Sequence, residues 1–396
     1  MMNRPSFALV SATLLAASPA VLGAQSPVQQ SALQDYRVVT VAEGLVNPWS
    51  MAFLPGGDML VTERPGRLRI IRNGRLLPNA VEGLPRVRAG GQGGLLDVVP
   101  HPQFASNRLV YFSYAKYSAD TLQGTTAVAR GRFENDRLTN VQEIFEAKLW
   151  SQGRGHHGSR LAFDRNGYLF ISLGDRQAPP SGNLEAHPAQ DYRNHFGAIV
   201  RLHDDGRVPT DNPFIGKTDT LAEIFSKGHR NVQGLVIHPQ TNDVWATEHG
   251  PQGGDELNLV QAGKNYGWPV IGFGVNYRTG AAIHSGTMRA GMEQPVHVWV
   301  PSIGASGLMI YTGDRFPQWK GNLFAGGMVG EQLVRLTLDA QRVNGVETLV
   351  QRQGRIRDVR QGPDGYIYLA IESRTGAPTP IVRLEPASAT GVVGGR

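Results

Sequence analysis

The chain has no cysteine. That excludes disulfides, thiolate metal centres and a cysteine nucleophile together. Charge is scarce as well: acidic and basic residues make up 18% of 396 positions, and the formal net charge is +6. The arginines are scattered, with no basic block. The clustered charge that a nucleic-acid partner needs is therefore missing. After the first two dozen residues no apolar run is long enough to cross a bilayer, so no membrane span is expected in the mature protein. Long amphipathic helical periodicity is hard to find. No Walker loop, dinucleotide fingerprint after a strand, or G-x-S-x-G elbow occurs.

What is present is turn chemistry and apolar strand. Glycine (49) and proline (25) are plentiful, and 40% of the residues are hydrophobic, enough to fill a core. The N-terminus reads differently. Arg4 precedes a small, apolar stretch from Phe7 to Val21, and Leu22-Gly23-Ala24 resembles a small-residue cleavage site. Pro19 interrupts the run, which is short for a membrane anchor. Residues 1–24 are expected to be a signal peptide cut near Ala24, giving a periplasmic or secreted protein. Residues 25–396 are expected to form one domain, with a loose tail from Ala387.

A pattern of turn, alternating strand and small or polar residue recurs six times. The copies are Gly57–Glu63, Asn107–Tyr114, Gly167–Asp175, Asn242–Glu248, Gly321–Gly327 and Gly365–Ser373. Other short β-rich runs flank them, among them Leu68–Ile71, Gly197–Leu202 and Leu333–Leu338. Six loose repeats of short strands predict an all-β fold, a six-bladed β-propeller of four-stranded antiparallel blades. The mature chain allows about 62 residues per repeat, above the ~40–45 of compact propeller repeats. The excess belongs to loops, where function concentrates.

Four segments could carry chemistry. His156, in Arg154–Arg160, opens one strand and Asp175 closes the next. Antiparallel strands can bring those two ends to one face, where a carboxylate-held histidine can serve as a base; on spacing alone, a surface histidine pair beside a turn aspartate is the plainer reading. Arg230, Asn231 and Gln233 offer donors to a carbonyl-rich anion, or simply close an inter-strand turn. Glu248–Glu256 combines acidic residues with a Gly/Pro-rich loop whose carbonyls could turn inward, a hard-oxygen set suited to calcium. Zinc at His249 and a solvated acidic turn remain alternatives there. Arg355 and Arg357 alternate in a strand and so share a face, which suits a polycarboxylate or a solvated edge.

In order and spacing, these segments resemble the soluble aldose and glucose dehydrogenases that depend on pyrroloquinoline quinone (PQQ). The matching pieces are GQGGLLDVVPHPQF at 91–104, HHGSRL at 156–161, SLGD at 172–175 and GHRNVQGL at 228–235. EHGPQGGDELN at 248–258, GKNYGWP at 263–269 and RIRDV at 355–359 complete the set. The resemblance runs from about Asn47 to Glu385. It implies oxidation of an aldose at C1 to a lactone, with PQQ and calcium, and reoxidation by an external electron acceptor. It implies His156 as the base, Asp175 as the carboxylate that orients it, and Arg230 beside the quinone carbonyl. Asn231 and Gln92 would be further polar contacts, and Arg355 and Arg357 would hold PQQ carboxylates. The carbonyls of Gly250 and Pro251 would bind the calcium at PQQ. Glu256 and the Tyr266 carbonyl would form a second calcium site, with Asp255 nearby. Tyr277 and Ser302 would line the cofactor pocket. One position departs: Val329 stands where some relatives carry a lysine at the cofactor. The rival functions are a propeller lactonase with a central metal and a non-catalytic binding propeller.

Overall fold

The computed structural model describes residues 26–118 and 120–387; the expected signal peptide, and the expected tail beyond Ala387, lie outside the described residues. Strands dominate. Among the described residues the α-helix is a single turn, Phe104–Asn107, and no helix is long and apolar enough to cross a membrane.

The strands form six antiparallel sheets arranged as the blades of a propeller. The first blade comprises Pro48–Phe53, Met59–Glu63, Arg67–Arg72 and Arg75–Leu76, and the second Leu95–Pro100, Leu109–Tyr117, Gly124–Glu134 and Arg137–Glu146. The third holds Leu161–Phe163, Leu169–Ser172, Ala198–Leu202 and Ile224–Lys227, and the fourth Val232–Ile237, Val244–Glu248, Asp255–Val260 and His297–Trp299. The fifth holds Ala305–Ile310, Leu323–Gly327, Gln332–Asp339 and Arg342–Leu349. The sixth is built from both ends of the chain: Arg355–Gln361, Ile367–Glu372 and Pro378–Pro386 are joined by Tyr36–Val46, with Val28–Gln29 beyond it. The first strands of neighbouring blades touch around the ring and close it.

Every one of the six repeated sequence copies supplies the second strand of its blade. The reason is burial. A second strand is covered by a neighbouring blade on each side, and Met59–Glu63, Val244–Glu248, Leu323–Gly327 and Ile367–Glu372 are buried at every residue. Outer strands face water on one side, and Arg342–Leu349 alternates accordingly. The core is correspondingly divided. Each of six apolar clusters fills one junction between adjacent blades, such as Leu60, Leu68, Val98 and Phe112 between the first two. The junction of the fifth and sixth blades contains Phe316 stacked on Trp319 with centroids 4.3 Å apart. Each such fully buried side chain stabilises the ring by roughly 1.5–3 kcal/mol.

The axis is polar. Arg160 reaches from the third blade across the ring. Its guanidinium meets Asp358 at 2.8 Å and Asp97 at 3.5 Å, and donates to the carbonyls of Gln233 and Arg357. It also lies 4.1 Å from the centroid of the Trp49 ring. Arg360 completes a four-charge plug with the same two aspartates, each at 3.0 Å.

In antiparallel blades, the link between second and third strands and the link to the next blade emerge at the same end. Every chemically interesting segment of the sequence lies in one of those links or beside one, except the 261–296 insertion. That insertion leaves the opposite end of the fourth blade and climbs back, pairing Asn265 with Lys227 and Val275 with Gln252.

Candidate active site

At this end of the propeller a cavity of about 590 Å³ opens over the axis. All six blades contribute to its wall. Trp49 and Arg64 come from the first, Gln92 and Leu96 from the approach to and start of the second, and His157 and Gly158 from the entry to the third. The fourth supplies Gln233, His249, Gly250 and Asp255. Ser302, Met328 and Val329 belong to the fifth, and Arg355, Arg357 and Glu372 to the sixth. Tyr277, 64% exposed, stands at its mouth.

His156 and Asp175 meet as their strand ends suggested. His156 Nδ1 lies 2.6 Å from Asp175 Oδ1, so Nδ1 carries the proton and Nε2 is left as the basic nitrogen. The Gln92 side chain accepts the His156 backbone N–H at 2.8 Å, which ties the pair to the cavity wall. The backbone here is strained: His156, Ser159, Arg176 and Gln177 all have positive φ. Gly174 permits the approach of the two loops, because a Cβ there would lie 2.3 Å from the His156 carbonyl oxygen. Burial lowers the pKa of His156, and Arg230 and Arg176 lower it further against the opposing pull of Asp175. The imidazole is thus neutral and ready to accept a proton. For Asp175, burial acts upward, yet His156 and Arg230 hold its carboxyl below the ordinary range.

Arg230 and Asn231 follow on the entry to the fourth blade. The Arg230 backbone N–H donates to Glu248 Oε2 at 2.6 Å, and its guanidinium donates to the His249 carbonyl at 3.1 Å. Its Cζ lies 5.1 Å from the Trp268 ring centroid. Asn231 Oδ1 accepts from the Gly158 backbone and from Gln233. Three buried donor or acceptor atoms, Arg230 Nε, Asn231 Nδ2 and His249 Nε2, have no hydrogen-bond partner among the described residues. Burial pushes His249 down to about 4, Arg230 and Arg357 adding to it and Asp255 opposing.

The twin arginines share a carboxylate. Arg357 donates twice to Glu372 Oε2, at 3.0 and 2.6 Å, Arg355 stands 3.8 Å from the same oxygen, and Arg64 reaches Oε1 at 3.3 Å. Burial raises Glu372, but Arg357 and Arg64 more than offset it and keep it ionised. Three guanidiniums against one carboxylate leave an excess of positive charge on that wall. Val329 lies on the same wall, 59% exposed.

The Gly/Pro loop is knotted around Asp255. Its carboxylate accepts from Gly250 N–H and Ser302 Oγ–H through Oδ1, at 3.0 and 2.8 Å, and from Ala305 N–H through Oδ2. The carbonyl of Gly250 faces Tyr277 Oη at 3.3 Å and that of Pro251 faces Ser302 Oγ at 3.3 Å. Behind the loop is a small cavity of about 20 Å³, lined by Glu248, Glu256, Tyr266 and Trp268 among others. That volume accommodates one water or ion. Glu248 and Glu256 share the amide N–H₂ of Asn258, at 3.0 and 3.1 Å. Burial and the neighbouring Glu248 charge push Glu256 up to about 8. Among the described residues no group of three or more His, Asp or Glu side chains gathers as a metal cluster.

A model of the Glucose / Sorbosone dehydrogenase family matches residues 45–383. The chain belongs to the glucose/sorbosone dehydrogenase family. Within it, the chain is 42% identical over 381 residues to the aldose sugar dehydrogenase YliI of Escherichia coli K12, covering 95% of this chain and 98% of that one. A crystal structure of a glucose dehydrogenase aligns with a TM-score of 0.82 at 43% identity, over 89% of this chain and 99% of the other. The PQQ-bound form of the aldose sugar dehydrogenase of Streptomyces coelicolor aligns with a TM-score of 0.70 at 28% identity, over 88% and 98%. The family motifs thus converge on one end of the ring.

Three residues of this site had no role in the sequence analysis: Arg64, Trp268 and Glu372. Trp268 lies within the GKNYGWP motif, but only its position beside Asp175 shows what it does. Glu372 ends the strand Ile367–Glu372 and pairs in register with Arg355, a relation visible only once strands are aligned.

Proposed function

We propose that this member of the family oxidises aldose sugars at C1 to lactones, with PQQ and calcium, and with His156 as the base. The observation that carries the reading is the shared cavity. His157, Gly158 and Gln92, the last accepting the backbone N–H of the carboxylate-held His156, line it together with a cationic wall fit for a polycarboxylate. PQQ fits the donor set on three counts. The wall of Arg64, Arg355 and Arg357 is short of negative charge, Asn231 and Arg230 present buried donor atoms without partners, and the cavity is large enough for a tricyclic acid. Calcium fits through the Gly250 and Pro251 carbonyls at the cavity edge. Glu256, with the Tyr266 carbonyl, fits a second cation at the small cavity, where two buried carboxylates lack one.

Arg355 and Arg357 would hold cofactor carboxylates in bidentate fashion, and Tyr277 and Ser302 would border the ring system. When bound, PQQ with its calcium supplies a polarised two-electron acceptor. His156 Nε2 takes the proton of the C1 hydroxyl as the C1 hydrogen departs with its electron pair. Asp175 holds the Nδ1–H and stabilises the imidazolium that results. Arg230 would supply the cation that stabilises negative charge on the acceptor side. The sugar leaves as a lactone, and an external acceptor takes the two electrons. The lactonase alternative needs a metal on the axis, where the Arg160 guanidinium already pairs with Asp358 and Asp97. Export to the periplasm or beyond is part of the proposal, and N-terminal sequencing of the mature protein checks cleavage near Ala24.

The test is an absorbance titration of purified protein with PQQ and calcium, followed by dye reduction with a panel of aldoses. His156→Ala should retain PQQ binding and lose at least about 100-fold in turnover. Turnover that survives the change removes the base assignment.

A further inference from the structure

Trp268 touches both halves of the site. Its indole Nε1–H donates to Asp175 Oδ2 at 2.8 Å, the oxygen that His156 leaves free. Its ring face carries the Arg230 guanidinium at 5.1 Å. The side chain is buried, and its backbone is fixed at both ends: its N–H donates to the Gly228 carbonyl at 2.8 Å, and its own carbonyl accepts from Gln190 at 2.7 Å. His187 and His284 close on the ring edgewise, at 6.2 and 5.5 Å between centroids. Those two imidazoles are themselves held by the carbonyls of Ala178 and Pro269. The indole is therefore clamped in one orientation by groups from three separate loops.

Resting on the dehydrogenase reading above, we propose that Trp268 is a positioning residue for proton abstraction: its N–H fixes the outer oxygen of Asp175 while its face supports Arg230, so that base and cation keep one mutual geometry. The chemistry follows from the contacts. A buried carboxylate with one oxygen on His156 and Gln177 and the other unpaired could rotate, and a rotated carboxylate would carry the imidazole with it. Donation from Trp268 removes that freedom and draws charge away from the oxygen on His156. The charged and titratable groups facing His156 are Asp175, Arg230, Arg176, His157 and His249, and Trp268 contacts the first two.

The test separates the two contacts. Trp268→Phe keeps an aromatic face and loses the donor; Trp268→Leu loses both. Histidine-labelled protein without cofactor is titrated by NMR. In Trp268→Phe the His156 midpoint should rise by about 0.5 pH unit or more, since a less delocalised Asp175 charge favours the imidazolium. The acid limb of kcat/KM should move with it, while the Kd for PQQ stays within about twofold. Trp268→Leu should raise that Kd about fivefold or more, from a lost cation–π contact of about 1 kcal/mol. In an Asp175→Asn background the phenylalanine change should no longer move the His156 midpoint. In the unaltered protein, the Trp268 indole N–H resonance should titrate with the midpoint of His156. An unmoved midpoint in Trp268→Phe, or an indole resonance indifferent to His156, overturns the proposal. Failure of the unaltered protein to bind PQQ would instead strike the cofactor reading, leaving the NMR result to judge Trp268.

Discussion

Replacing Arg160 by methionine tests how the ring is held at its centre. The side chain is fully buried, and burial acts against its charge while Asp358 and Asp97 support it. With it in place the axis holds two guanidiniums and two carboxylates. Without it Asp97 keeps Arg360 and the Leu161 N–H, and Asp358 keeps Arg360 and the Met51 N–H, but one buried negative charge has no cation. Removing one partner of a buried pair destabilises by about 3–5 kcal/mol. With an unfolding entropy of about 2.1 cal/mol/K per residue, over roughly 360 ordered residues, that corresponds to a fall in Tm of about 4–7 °C. The assay is urea unfolding followed by tryptophan fluorescence, with calorimetry for Tm. Asp358→Asn in the same background removes the orphaned charge. The double variant should be less destabilised than the sum of the singles, by about 1–3 kcal/mol. A single variant within about 1 °C of the wild type, or strict additivity in the pair, refutes the reasoning.

Four further outcomes are expected. His156, His157 and His195 have lowered pKa values through burial, so the folded state binds fewer protons than the unfolded chain below pH 6.5. Stability should therefore fall as pH drops through that value, by up to about 1.4 kcal/mol per unit for each histidine, and urea midpoints between pH 7.5 and 5 check it. Lys227, lowered to about 7 by burial, adds a rise in stability between pH 7 and its unfolded value near 10.5, read from Tm across that range. Arg357→Met and Arg64→Met should each weaken PQQ binding about tenfold or more and flatten its salt dependence; an unchanged titration for Arg64 would show that its ion pair with Glu372 is structural only. A calcium chelator should lower both activity and Tm, and indifference of both would end the calcium assignment.

The architecture was legible because second strands are enclosed on both sides and recur in the sequence as short, mostly apolar strands between a turn and a small or polar residue. The edge strands were harder to see, since Arg75–Leu76 and His297–Trp299 are too short to carry a period. The histidine–aspartate pair could be anticipated from antiparallel strand ends. The pairing of Arg355 and Arg357 on one wall matches their alternation, although a register shift between Ile356 and Asp358 interrupts the strand there. Arg160 was in view within HHGSRL, but nothing in linear order says that it crosses the axis to Asp358. Trp268 was hidden for a related reason. It sits in an insertion that returns from the far end of the fourth blade, and no spacing rule reports where such a loop comes to rest.

The sixth blade joins the start of the described chain to its end, and the cavity wall borrows from all six blades. A nascent chain of five blades lacks the wall that carries Arg355, Arg357 and Glu372, however well each sheet has formed. Capture of a ligand by that wall should follow the pairing of Pro378–Pro386 with Tyr36–Val46, which closes the sixth blade. Loading is thus expected of the finished molecule, and clipping that last strand should weaken binding at least as much as the loss of Arg357, by loosening the strand beside Ile367–Glu372.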